Sequence, residues 1–113
     1  MRFPAFAAAL MCLTACGSHP KDTATLVLVN HFWERVNVEA VVIKGSSCSD
    51  RSQDLGPPKD FVMTKGQTWK IDAPNGAQVC WRHDPDPNNP VKGEWSDWSR
   101  AILFPGQETE TDL

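Results

Sequence analysis

The chain has no tyrosine at all, so any β-sandwich it forms does without the tyrosine corner that ties a strand end in many such domains. It also lacks a run of roughly 20 apolar residues, the length a membrane-spanning helix needs. No ten-residue stretch carries a 3.6-residue apolar period, which argues against helical bundles and layered α/β folds. Basic residues are few and scattered, 11 Lys and Arg against 14 Asp and Glu for a net charge of −3. Phosphate-backbone binding rests on clusters of Lys and Arg, so nucleic acid is excluded as a partner. Nor is there a GxSxG, an HExxH or a Gly-rich phosphate loop, and the paired acids of glycosidase chemistry cannot be read from scattered carboxylates. The expectation is a protein that is not an enzyme and that carries no cofactor and no metal.

What is present begins at the N-terminus. Arg2 precedes an apolar run of eleven residues, Ala5 to Ala15, which is export-signal length and too short to span a bilayer. The run closes on Leu13-Thr14-Ala15-Cys16, small residues directly before a cysteine. These four residues resemble the lipobox of bacterial lipoprotein precursors. The resemblance implies cleavage between Ala15 and Cys16, lipidation of the Cys16 thiol and acylation of its new amine. Several acyl chains exceed the two signals that stable anchoring requires. In that family Asp after the cysteine retains the protein at the inner membrane. Gly17 stands there instead, which implies the outer membrane, on its periplasmic side. Residues 16–24 then form the lipidated cysteine and a short polar tether, and residues 25–113 a single domain.

Cleavage would leave 98 residues with a net charge of −4, since Arg2 is the one charged residue lost. Cys12 departs with the signal and Cys16 carries lipid, which leaves Cys48 and Cys80 in an oxidising compartment and predicts a disulfide between them. By the loop-entropy estimate, such a bridge stabilises by about 3 to 4 kcal/mol. The competing zinc reading, Cys80 and His83 with Cys48 and His31, has weak spacing. A calcium loop at Asp84, Asp86 and Asn88, with Glu94 further on, places Asn89 where the sharp turn needs Gly and is stiffened by three prolines.

The rest of the chain alternates short apolar stretches with turn signals. Thr25 to Val29 is β-branched, and Val36 to Ile43 begins half-exposed and ends apolar on both faces; the two read as a hairpin around "NHFWER". Lys44 to Asp60 is a loop pinned by Cys48. Further strands are expected at Phe61 to Met63, Gln67 to Ile71, Ala77 to Arg82 and Ala101 to Phe104, with a last polar strand ending at Leu113. Seven short strands punctuated by Gly and Pro predict an all-β fold, a small antiparallel β-sandwich of the fibronectin III or immunoglobulin kind with one disulfide.

Between the strand bearing Arg82 and the strand at Ala101 lies Trp95-Ser96-Asp97-Trp98-Ser99. This segment resembles the WSxWS box of cytokine-receptor fibronectin type III domains, over some 27 residues, and is read as convergent. The resemblance implies that Trp95 and Trp98 alternate with the guanidinium groups of Arg82 and Arg100 in a stack, and that Ser96 and Ser99 bond to neighbouring backbone. Each guanidinium over an indole would be worth about 0.5 to 2 kcal/mol. The other reading makes Trp95, Trp98, Trp33 and Trp81 an aromatic binding surface.

The functional expectation is a lipid-anchored outer-membrane lipoprotein, a non-catalytic protein-binding or structural module held to the membrane by its lipid and engaging a protein partner of the envelope. One alternative is an inhibitor of an envelope-degrading enzyme such as lysozyme, which an acidic domain suits. Another is a carbohydrate or peptidoglycan binder using surface Trp.

Overall fold

A computed structural model describes residues 23–113. The export segment, the Ala15-Cys16 cleavage position, the lipidated Cys16 and most of the tether lie outside the described residues. Seven strands follow one another: β1 Thr23–Val29, β2 Arg35–Ile43, β3 Lys59–Thr64, β4 Thr68–Pro74, β5 Gln78–His83, β6 Ser99–Ile102 and β7 Glu108–Asp112. One turn of 3-10 helix, Arg51–Gln53, interrupts the β2–β3 loop, capped by the Asp50 side chain. The predicted all-β class, the strand number and the single disulfide are all present.

The strands form two packed sheets, one ordered β4-β1-β7 and the other β3-β2-β5-β6. Alternation along each strand decides what lies between them. Leu26 and Leu28 of β1, Val36 and Val38 of β2, Met63 of β3 and Val79 of β5 point inward and are fully buried. Each such side chain contributes on the order of 1.5 to 3 kcal/mol by leaving water. Trp81, alternating with Val79, joins them with only 4% of its surface exposed.

The strand pairing departs from the sequence expectation in two ways. β1 and β2 are not a hairpin: β1 pairs with β4 and β7, and β2 with β3 and β5. The physical reason is Asn30. Its Oδ1 accepts from the Trp33 amide at 3.1 Å, its Nδ2 donates to the Trp33 carbonyl at 2.7 Å, and its backbone bonds Gly66 and Gln67. The buried amide thus turns the chain out of one sheet and into the other. The second departure is one of direction. β7 runs parallel to β1, with Thr25 opposite Glu108 and Val29 opposite Asp112, while the other pairings are antiparallel. The turn at Phe104-Pro105-Gly106-Gln107 sends the chain across to the opposite sheet at the end where β1 starts. Gly106 supplies the positive φ of 70° that this turn requires. The strand predicted at Ala101 to Phe104 also lies earlier, at Ser99–Ile102.

Candidate functional site

The outer face of the four-stranded sheet carries the sequence's most distinctive segment. Outward positions on β2 and β5 are Glu39, Val41 and Ile43 beside Cys80 and Arg82, with Glu39 opposite Arg82 and Val41 opposite Cys80. Val41, Ile43 and Cys80 are buried although they face away from the main core, because Cys48 and Trp98 pack over them. Cys48 and Cys80 form the disulfide, with Cα atoms 5.8 Å apart.

Backbone register explains how the box puts two rings on this face. Trp81 opposes Ser99 in the β5–β6 ladder. Two residues further along β5, the His83 carbonyl accepts from the Ser96 amide at 2.7 Å and the His83 amide donates to Ser96 Oγ at 3.1 Å. A regular antiparallel ladder would place residue 97 opposite His83, so one residue is extra. The paired strand starts only at Ser99, and the segment before it fits two residues, Asp97 and Trp98, between the contacts to His83 and Trp81 where a regular ladder would fit one. In a regular strand residues 95 and 98, three apart, would face opposite sides. The extra residue offsets the alternation, and both indoles come to flank Arg82 on the outer face.

The Arg82 guanidinium carbon then lies 4.2 Å from the Trp98 ring centroid and 5.3 Å from that of Trp95. The same guanidinium donates through Nε and Nη2 to Glu39 Oε1, each at 2.7 Å. The stack implied by the WSxWS resemblance is therefore assembled around Arg82. Arg100 takes no place in it: its guanidinium reaches the Ser46 carbonyl and ties the β2–β3 loop to β6. Arg51 is the second cation, with Cζ 5.2 Å from the Trp98 centroid and a bond to the Cys48 carbonyl. Sequence reasoning missed Arg51 because it lies in an aperiodic loop; its closeness to Cys48 was the available signal. Ser96 bonds backbone as implied, whereas Ser99 is exposed and takes part through strand pairing opposite Trp81.

The four indoles do not form one surface. Trp95 and Trp98 lie on the outer face, Trp81 is core on the inner face, and Trp33 packs half-buried beside the His83 ring at 4.9 Å. The fifth, Trp69, stacks on Phe61 with centroids 4.2 Å apart and planes 6° from parallel. That pair joins edge strands β3 and β4 of opposing sheets and helps line an open groove of about 560 Å³ with Val42, Leu55, Pro57 and Ile71. Leu55 and Trp69 remain substantially exposed there.

The candidate metal ligands are otherwise engaged. Cys48 and Cys80 are bonded to each other. Asp84, buried, accepts from the Asn37 amide at 2.8 Å and from Asn37 Nδ2 at 3.0 Å, which fixes the start of the Pro-rich loop to β2. His31 faces Asp112 at 3.1 Å at the far end of the molecule. Among the described residues no three His, Cys, Asp or Glu side chains converge. No helix among them is long and apolar enough to cross a membrane. Compared with known proteins, the chain matches no family model, no curated protein and no solved structure.

Proposed function

We propose that the protein is a lipid-anchored lipoprotein of the bacterial outer membrane, facing the periplasm, that acts without catalysis as a protein-binding or structural module. The anchor part of this reading rests on the Leu13-Thr14-Ala15-Cys16 segment. The binding part rests on one structural observation: the stacked Phe61–Trp69 pair lines an open, largely apolar groove in which Leu55 and Trp69 stay substantially exposed. A groove of this size, apolar with lysines at its rim, suits an inserted apolar side chain of a partner, the kind of anchor that dominates protein interfaces.

A second reading has an observation of its own. Glu108, Glu110 and Asp112 alternate outward along edge strand β7 and give the three-stranded sheet an acidic outer margin, which suits an inhibitor of a basic cell-wall-degrading enzyme. In-membrane photocrosslinking of the full chain separates these readings. With the crosslinker at Trp69, the proposed function gives a discrete protein adduct that is absent when the crosslinker stands at Trp95. An adduct to peptidoglycan in place of protein favours the carbohydrate-binding alternative. Added lysozyme captured through position 110, with loss of its lytic activity, favours the inhibitor.

A further inference from the structure

The molecule has two distinct ends. At one, β1 emerges into the loop carrying His31 and Phe32; at the other, β1 begins at Thr23. The Phe104–Gln107 turn lies directly against this second end, since the Gly106 amide donates to the Thr23 carbonyl at 2.7 Å and the Thr25 amide to the Gln107 carbonyl at 3.0 Å. Beside it, Ile102 ends β6 opposite Gln78 of β5. Leu103 turns into the core, so its two neighbours turn out: Ile102 is 62% exposed and Phe104 54% exposed. Two large apolar side chains are thus mostly exposed beside the point of chain entry.

The sequence places Cys16 only seven residues before Thr23. Fully extended, that length spans at most about 25 Å, comparable to the length of a seven-residue strand. The end bearing Ile102 and Phe104 is thus the part of the domain that a lipid on Cys16 holds nearest to the bilayer. Local charge agrees with this orientation. Lys44 is exposed at the same end, just after Ile43, which pairs with Gln78. Of the carboxylates near this end, Asp54, the bridge partner of Ile43, is paired with Arg51 at 3.5 Å, Asp72 accepts from the Thr25 hydroxyl at 2.6 Å and Glu108 is paired with Lys70 Nζ at 3.3 Å.

We infer that Ile102 and Phe104 form a membrane-contact face, seating the domain on the lipid surface with the Phe104 ring in the interfacial layer and Lys44 toward anionic headgroups. Apolar and aromatic side chains favour that layer, and a nearby lysine adds attraction to acidic lipids. The β1–β2 tip with Phe32 then points away from the bilayer, and the Phe61–Trp69 groove opens to the side. This inference rests on the anchored reading of Cys16.

The test uses the full chain, processed and lipidated in a bacterial host and returned to vesicles of phosphatidylethanolamine and phosphatidylglycerol. Single variants Phe104→Cys and Phe32→Cys are spin-labelled, Cys48 and Cys80 being held in the disulfide, and collision with oxygen is compared with collision with a water-soluble nickel complex. The expected result is a several-fold higher oxygen-to-nickel ratio at 104 than at 32, decreasing when Lys44→Glu is added. Equal, water-like ratios at both positions on membrane-retained protein overturn the contact face alone. A chain that takes no radiolabelled palmitate, and that leaves the membrane as readily as a Cys16→Ser variant, overturns the anchor and the contact face together.

Discussion

On the outer face of the four-stranded sheet, Val41, Ile43 and Cys80 are roofed by Trp98, the disulfide and the Arg51 and Arg82 side chains. On the outer face of the three-stranded sheet the buried apolar residues belong to the central strand alone. There Thr25, Val27 and Val29 are buried, with Thr25 bonded to Asp72 and Lys70 paired with Glu108. The difference follows from how many outward apolar residues each sheet has. Two adjacent strands of the larger sheet present apolar outward positions, an area that neighbouring stems cannot cover, whereas the smaller sheet presents only one such strand. The larger sheet therefore carries a second small core outside the sandwich, closed by two loops, and the box is part of its closure.

That comparison yields predictions of decreasing size. Removing the bridge by Cys48→Ala with Cys80→Ala opens the roof and frees the loop in the unfolded state, so the cost is about 3 to 4 kcal/mol, seen as a lower denaturant midpoint. Truncating one roof member comes next. Trp98→Ala loses packing on Val41, Ile43 and Cys80 as well as two cation contacts and costs about 2 to 3 kcal/mol. Trp95→Ala, with one longer cation contact, costs about 1 kcal/mol or less. Equal losses at the two positions would contradict the asymmetry. On the other sheet, Lys70→Ala removes an exposed pair and shifts stability by less than about 0.5 kcal/mol, with the difference vanishing in high salt.

The smallest effect is local. The Ser52 hydroxyl and amide donate to Asp50 and hold its carboxyl below the usual carboxylate range. Its contribution to capping the Arg51–Gln53 turn is present at neutral pH and at pH values above the ordinary carboxylate pKa. It is lost as pH falls through the lowered value. The Ser52 amide resonance should therefore titrate with a midpoint below that of an unperturbed aspartate; a midpoint at or above the ordinary value contradicts the cap.

How legible this was in the sequence depends on the range of the interaction. Strands such as "VNVEAVVI" announce themselves because alternation is local, and the end of that run, apolar on both faces, already signalled that something must cover Val41 and Ile43. The disulfide followed from counting cysteines. Sheet membership was not legible: the Asn30 amide acts by bonding Trp33 and the backbone near Gly66, and a turn-forming Asn looks the same in a hairpin. The parallel β7 was hidden for the same reason, since direction depends on which sheet the Phe104–Gln107 turn enters. Within the box, the part played by Arg82 followed from the WSxWS resemblance, while the exchange of Arg100 for Arg51 depended on where the disulfide brings an aperiodic loop.

The central claim is that the box is an internal clasp on Arg82 and not a binding surface, and a double-mutant cycle between Arg82→Met and Trp98→Ala measures it most directly. Methionine keeps the apolar stem and removes the guanidinium, and the loss of the Glu39 partner cancels between the two arms of the cycle. A clasp predicts a coupling of about 1 kcal/mol between the two positions in unfolding free energy, with the Trp69 crosslink to the partner retained in folded protein. Additive losses within about 0.3 kcal/mol, together with loss of the crosslink in the folded Trp98→Ala variant, would contradict it.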